Sequence, residues 1–206
     1  MDLPLRCGCG ALRGVLRSVA PRGGNRCICY CDDCQSFAHF LGRAESILDP
    51  HGGTDIFQTT ARLELSAGVQ QLACMQLRQG SRVVRWYAGC CRTPIGNTVV
   101  TPRMPFVGLI HSCMDFDATG STADSVLGPV RGSVFRRFAR GDPAELAPRL
   151  GAIQILRVVR LVLAARLRRD RRSPFFDVSG QPKVAPRVLR PDELRAVEAS
   201  RDAALR

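Results

Sequence analysis

Cys27-Ile28-Cys29-Tyr30-Cys31-Asp32-Asp33-Cys34 places four cysteines in eight residues. Cys7-Gly8-Cys9-Gly10 precedes it and Cys90-Cys91 follows, so eight of the ten cysteines fall in three clusters and the rest of the chain is read around them. A thiolate is a soft ligand that favours zinc, and Cys-x-Cys and Cys-x-x-Cys spacings let one turn of chain grip one ion. Cys29, Cys31 and Cys34 can converge on a tetrahedral Zn²⁺ and leave its fourth position for water or substrate, the usual mark of a catalytic zinc. Cys27 continues the two-residue alternation, so in an extended segment it shares a face with Cys29 and Cys31. It can therefore supply a fourth thiolate and close the site, and spacing alone leaves both arrangements open.

Cys7 and Cys9 have Cys90 and Cys91 as distant partners. A site made of these ties the N-terminal segment to the strand ending at Tyr87, which is structural work, because binding a metal there couples to folding. Adjacent cysteines point to opposite sides of an extended chain; a turn at Gly89 would relieve this, and otherwise Cys91 alone ligates. Cys74 and Cys113 lie in or beside apolar strands and are assigned to packing. His39 follows Cys34 by five residues, close enough to reach the metal, shuttle a proton or merely stand near the site. His51-Gly52-Gly53 reads as a turn, and His111 ends a strand. The chain has no P-loop, dinucleotide fingerprint or Gly-x-Ser-x-Gly motif.

Disulfides are the competing use of so many cysteines. The start, Met1-Asp2-Leu3-Pro4-Leu5-Arg6, has no apolar signal region, which predicts a protein of the reducing cytoplasm and favours metal over disulfides. The 206 residues carry 45% hydrophobic and 23% charged side chains, as a globular protein does, which excludes disorder throughout. The net charge of +12 comes almost wholly from arginine, Lys183 being the only lysine.

Strand composition marks residues 55–60, 72–77, 83–87 and 106–110, with a hairpin turn at Gln79-Gly80-Ser81. A short helix is expected over Asp32 to His39. This gives a mainly β domain over residues 1–115 and a C-terminal extension over 116–206. Within the extension, Leu146, Leu150, Ile153, Leu156, Val159, Leu163 and Leu167 recur at helical spacing, predicting an amphipathic helix over about residues 144–172 that Ser173-Pro174 ends. Arginines 149, 157, 160, 166, 168, 169, 171 and 172 surround it, too many charges for a membrane span. Its apolar stripe is expected to pack on the β domain. The other use of such a basic helix is contact with a partner, a nucleic acid or a membrane surface. Pro191-Asp192-Glu193-Leu194 opens a final short helix.

Arg6-Cys7-Gly8-Cys9-Gly10-Ala11, Cys29-Tyr30-Cys31-Asp32-Asp33-Cys34-Gln35, and Trp86-Tyr87 with Cys91-Arg92-Thr93-Pro94-Ile95-Gly96-Asn97 together resemble the glutathione-dependent formaldehyde-activating enzyme family, which includes centromere protein V. The resemblance covers about residues 5 to 115. The tail Pro174-Phe175-Phe176-Asp177 with Pro182 looks like that of a divergent bacterial branch. The resemblance implies a β-tent-like fold with two zinc sites, a structural one mapping onto Cys7, Cys9 and Cys91 and a catalytic one onto Cys29, Cys31 and Cys34. It also implies carbon–sulfur lyase chemistry on a thiol–aldehyde adduct, with one or two Zn²⁺ per chain and glutathione as cosubstrate. Two positions depart from the family pattern. Ala88 stands where the family's structural site has a cysteine, so either Cys90 replaces it through a shifted knuckle or the structural zinc is altered or absent, and Arg92 stands where the family has glycine. Arg43 and Arg92 are the arginines expected to hold substrate carboxylates.

Overall fold

The structure is a computed structural model that describes residues 1–101, 106–168 and 173–204. Its strands are β1 (Leu3–Arg6), β2 (Arg13–Leu16), β3 (Gly24–Cys29), β4 (Thr54–Thr59), β5 (Leu63–Ala67), β6 (Leu72–Gln76), β7 (Val83–Ala88), β8 (Pro94–Val99), β9 (Val107–Ile110), β10 (Ser133–Val134) and β11 (Arg187–Val188). The helices are α1 (Asp32–Phe40), α2 (Ala44–Ile47), α3 (Ala123–Leu127), α4 (Ala152–Arg168) and α5 (Pro191–Ala203). Short 3₁₀ turns fill several connections.

An eight-stranded sheet runs in the order β10-β3-β4-β9-β8-β7-β6-β11. Its six central strands pair antiparallel, while β10 joins β3 and β11 joins β6 in parallel, so the segment beyond residue 115 supplies both edges. A three-stranded sheet, β1-β2-β5, covers one face. Alternation along the strands sorts side chains between two layers. Phe57, Leu72, Val84, Trp86 and Leu109 point to the small sheet and meet Leu3, Leu5, Leu16 and Leu63 there. Met75, Leu77 and Ile110 point the other way and meet Phe37, Leu41 and Ile47 of the helical layer, with Leu194 and Val197 of α5 packed against them.

Trp86 is the centre of the first layer. Its indole N–H donates to the Thr98 hydroxyl at 2.9 Å, and Phe175 stacks on its ring at 4.6 Å while Phe176 meets it edge-on. A buried indole needs such a hydrogen-bond partner, and offset aromatic contact adds to the stability from area burial. Gly14 lets β2 approach β5, since a Cβ there would lie 2.4 Å from the Glu64 carbonyl oxygen.

The expected strands appear at Thr54–Thr59, Leu72–Gln76, Val83–Ala88 and Val107–Ile110, and the expected helices at Asp32–Phe40 and Pro191–Ala203. The extension's helix begins later than its periodicity suggested, at Ala152, because Pro148 and Gly151 interrupt the run before it. The end of that expectation, residues 169–172, lies outside the described residues. The expectation that its apolar stripe packs on the β domain is corrected. Leu156, Val159, Leu163 and Leu167 are 58, 46, 52 and 83% exposed, and it is the side bearing Arg157, Leu161 and Ala165 that faces the protein. Both sides of α4 are apolar enough to read as a core face, so periodicity could not choose between them.

Candidate metal centres

Two groups of thiols converge, one of four and one of three. The first joins Cys7 and Cys9, in the turn between β1 and β2, to Cys90 and Cys91, in the turn between β7 and β8. The separations are 3.5 Å for Cys7–Cys9, 3.7 Å for Cys7–Cys90, 3.3 Å for Cys9–Cys90 and 3.9 Å for Cys90–Cys91. Four sulfurs at about 2.3 Å from a tetrahedral zinc lie about 3.8 Å apart, so the group fits such an ion. Cys90 is one of the four converging thiols, and Ala88, two residues before it, is fully buried against the small sheet.

The knuckle's backbone explains how adjacent cysteines converge. Ala88 N–H donates to Thr93 O and Arg92 N–H to Ala88 O, both at 2.8 Å, closing a tight turn around Gly89 and the two cysteines. Arg92 takes a left-handed conformation with φ +57°, which glycine adopts freely and an L side chain only at a cost of about 1–2 kcal/mol. The Thr93 hydroxyl accepts from Gly8 N–H at 2.9 Å and lies 3.2 Å from Cys91 Sγ, linking the two halves. Burial opposes ionisation of Cys91, yet hydrogen bonds from Thr93 and Cys9 bring its thiol down to about 6.

The second group is local. Cys29 ends β3, Cys31 caps α1, and Cys34 lies in its first turn. The Cys31 sulfur accepts from Cys34 N–H at 3.4 Å in the manner of an N-cap, and Asp32 and Asp33 complement the positive end of the helix. Cys29 Sγ and Cys31 Sγ are 3.4 Å apart, and all three sulfurs lie within 4.8 Å of one another. Cys29 and Cys34 are buried and Cys31 is half-buried. Hydrogen bonds from the Cys29 and Cys31 thiols hold Cys34 well below its ordinary pKa, and Arg85 reinforces this. Cys27, two residues back on β3, is not among the converging thiols. It is buried, and burial, with Asp55 and Cys34 nearby, pushes its thiol up to about 12. Among the described residues, three thiols form this group and one corner of a tetrahedron has no protein sulfur.

The arginine beside the trio is Arg85, which the sequence reading did not single out. Only 4% exposed, it projects from β7 into the helical layer, over the Phe37 ring. It donates to Cys34 Sγ at 3.7 Å and to Asn97 Oδ1 at 3.2 Å and lies 3.8 Å from Asp33. The two arginines expected near substrate are elsewhere. Arg43 donates to the Cys91 carbonyl at 3.0 Å, bracing the four-thiol knuckle. Arg92, in the same knuckle, lies over Phe40. A second unforeseen neighbour is Thr54, directly opposite Cys29 in the β3–β4 register. Opposite residues of an antiparallel pair share a face, and the Thr54 hydroxyl is buried with no hydrogen-bond partner among the described residues.

The histidines stand apart from both groups. His39 Nδ1 is 3.0 Å from the Ser200 hydroxyl on α5, and burial with Arg140 and Arg201 nearby lowers its pKa. His51 Nδ1 donates to the Arg140 carbonyl at 2.9 Å. His111 opens a 3₁₀ turn after β9. Cys74 and Cys113 are buried in the first layer, as packing requires.

Residues 1–185 match the family model DUF6151, described as a family of unknown function. The chain belongs to this family. The match spans both thiol groups, α4 and the Phe175-Phe176 pair, and ends before α5. No curated protein matches the chain.

Proposed function

We propose that this member of DUF6151 is a zinc-dependent carbon–sulfur lyase-type enzyme of the cytoplasm, with a β-tent-like fold and two zinc sites per chain. It would act on the adduct of a small thiol, such as glutathione, with a small aldehyde. The observation that carries this reading is the inequality of the two thiol groups: four sulfurs complete a tetrahedron at Cys7, Cys9, Cys90 and Cys91, whereas Cys29, Cys31 and Cys34 leave a corner for a further ligand. Complete thiolate sets are structural, and three-ligand sets are characteristic of catalysis.

A zinc held by the trio would supply Lewis acidity to a substrate oxygen or stabilise an incoming sulfur as thiolate. The chain's own residues then have distinct work. The N-terminal turn of α1 and the end of β3 fix the three ligand sulfurs. Three thiolates on a dication leave net negative charge, and the buried Arg85 guanidinium on Cys34 offsets part of it. The Thr54 hydroxyl, on the residue opposite Cys29 and without a hydrogen-bond partner among the described residues, would be available to donate to a substrate held beside the trio. In the forward direction the thiol sulfur adds to the aldehyde carbon, one S–C bond forms, the C=O bond becomes single, and its oxygen takes up the proton lost by the thiol. No oxidant or reductant is needed.

The reading is tested by metal content and turnover together. The wild type should bind two zincs per chain by elemental mass spectrometry. Cys29→Ser should keep the four-thiol zinc and lose thiol–aldehyde adduct turnover. Full turnover by that variant would overturn the reading.

A further inference from the structure

Cys29 pairs with Val134 on β10 on one side and with Thr54 on β4 on the other. Partners in neighbouring strands share a face of the sheet, so Val134, Cys29 and Thr54 form one row across three strands. Val134 and the buried Ile56 pack against the trio and give its surroundings an apolar side. Beyond Val134 the chain enters a short loop that is pinned on both sides of the trio. Tyr30 N–H, next to Cys29, donates to the Val134 carbonyl at 3.1 Å. Gln35, next to Cys34, donates through Nε2 to the Phe138 carbonyl at 3.0 Å. Phe135 lies between these two anchors.

Phe135 is unusual in backbone and in side chain. Its φ of +59° is left-handed, a region that glycine enters freely and an aromatic residue only at a cost. Its ring is 55% exposed, so burial in the core does not offset the strain. The next two residues have partners: Arg136 donates to the Pro143 carbonyl, and Arg137 lies over the Phe138 ring. Among the described residues Phe135 has no aromatic or cationic partner. Packing within the chain thus accounts neither for an aromatic side chain at this position nor for its exposure. Backbone strain of this kind gathers at ligand clamps and active sites, where the surrounding structure holds it in place, and here it stands beside an incomplete set of metal ligands.

We propose that Phe135 is the specificity-determining residue of the trio, receiving the apolar group carried by the substrate's sulfur, so that the substrate class is a thiol with a hydrocarbon or aromatic substituent. This rests on the reading of Cys29, Cys31 and Cys34 as a metal centre with one free corner. A sulfur held at that corner would bind as thiolate and release its proton to solvent. Its substituent would meet Val134 and Ile56 on the sheet and the exposed Phe135 ring on the loop, removing apolar surface from water on both partners. The two loop anchors fix where the ring stands before the ligand arrives, which lowers the ordering cost of binding.

The test uses the full chain loaded with cobalt in place of zinc, whose visible spectrum responds when a thiolate enters an open site. Phenylmethanethiol and 2-mercaptoethanol, both primary thiols, are titrated separately. Phenylmethanethiol should half-saturate the spectral change at about tenfold lower concentration, and Phe135→Ser should bring the two thiols within about twofold of each other, with 2-mercaptoethanol binding and circular dichroism unchanged. Phe135→Leu should keep most of the preference. If Phe135→Ser does not fold, Phe135→Gly, which suits the left-handed backbone, carries the same comparison. Equal binding of the two thiols to the wild type, or a preference that survives the loss of the ring, would overturn the proposal and leave the open corner standing. No spectral response to either thiol would overturn the open corner itself, and the proposal with it.

Discussion

The two thiol groups are built from the same chemistry by opposite routes. Cys7, Cys9, Cys90 and Cys91 come from two hairpin turns more than eighty positions apart in the chain, so a metal there would join the small sheet to the large one. Cys29, Cys31 and Cys34 come from one strand end and the helix that follows it, so their geometry is set locally and a metal there closes no long loop. The difference teaches that ligand number and sequence separation point the same way: on the proposed reading the distant, complete set would serve folding, and the local, incomplete set would be free to serve chemistry.

The sharpest way to break this comparison is to remove one ligand from each group. Cys9→Ser should cost on the order of 10 kcal/mol, comparable to the whole stability of a domain, because structural zinc binding is folding free energy. Thermal melts of purified protein should show it as a loss of the cooperative transition, while Cys29→Ser should melt close to the wild type. Equal melting of the two variants would erase the distinction. A smaller effect is expected at Arg85. Arg85→Met removes a positive charge that favours the Cys34 thiolate, so protons should compete better with zinc and half-release on acidification should move up by about one pH unit. Zinc release followed with a chromogenic chelator reads this for the trio, and the four-thiol site, which Arg85 does not touch, is the internal control.

Reactivity separates the groups further once the metals are stripped. Cys91, with a thiol near 6 and half-buried, should be alkylated fastest at pH 7, and its rate should fall as pH drops through 6 and the thiolate is protonated. Cys34, also held as thiolate but buried, should lag behind it in a time course read by peptide mass spectrometry. The smallest effect belongs to the knuckle itself. Arg92→Gly relieves a left-handed side chain and should stabilise the folded protein by about 1 kcal/mol, less whatever the Phe40 contact contributes. A calorimetric shift in the opposite direction would mean the Phe40 contact outweighs the strain.

The cysteine groups were legible in the sequence because ligand chemistry is written in spacing. That Cys90 and the adjacent Cys91 both converge on Cys7 and Cys9 was left open by spacing, since it depends on the Ala88–Thr93 turn. Arg85 was not legible. It stands in an apolar strand, Val83-Val84-Arg85-Trp86-Tyr87, where nothing in the spacing tells a buried cation from a solvated one, and its meaning comes from α1 folding back across β7. Strands β1 and β2 escaped because four residues including Pro4 or Gly14 carry little strand signal. The two-residue strands β10 and β11 escaped because they exist only by pairing. The stripe of α4 was found, and its orientation was not, since periodicity locates a face without naming its neighbour.

The two short parallel strands have a consequence for how the chain is made. Until Ser133 and Val134 emerge, β3 offers an open row of peptide groups, and β6 remains open until Arg187 and Val188 follow. Open strand edges are templates for pairing with other chains, and Trp86 stays uncovered until Phe175 arrives. On the ribosome the sheet is therefore assembled from its middle outward and sealed last at both ends. A message broken before that point would yield a chain with adhesive edges rather than a smaller working protein.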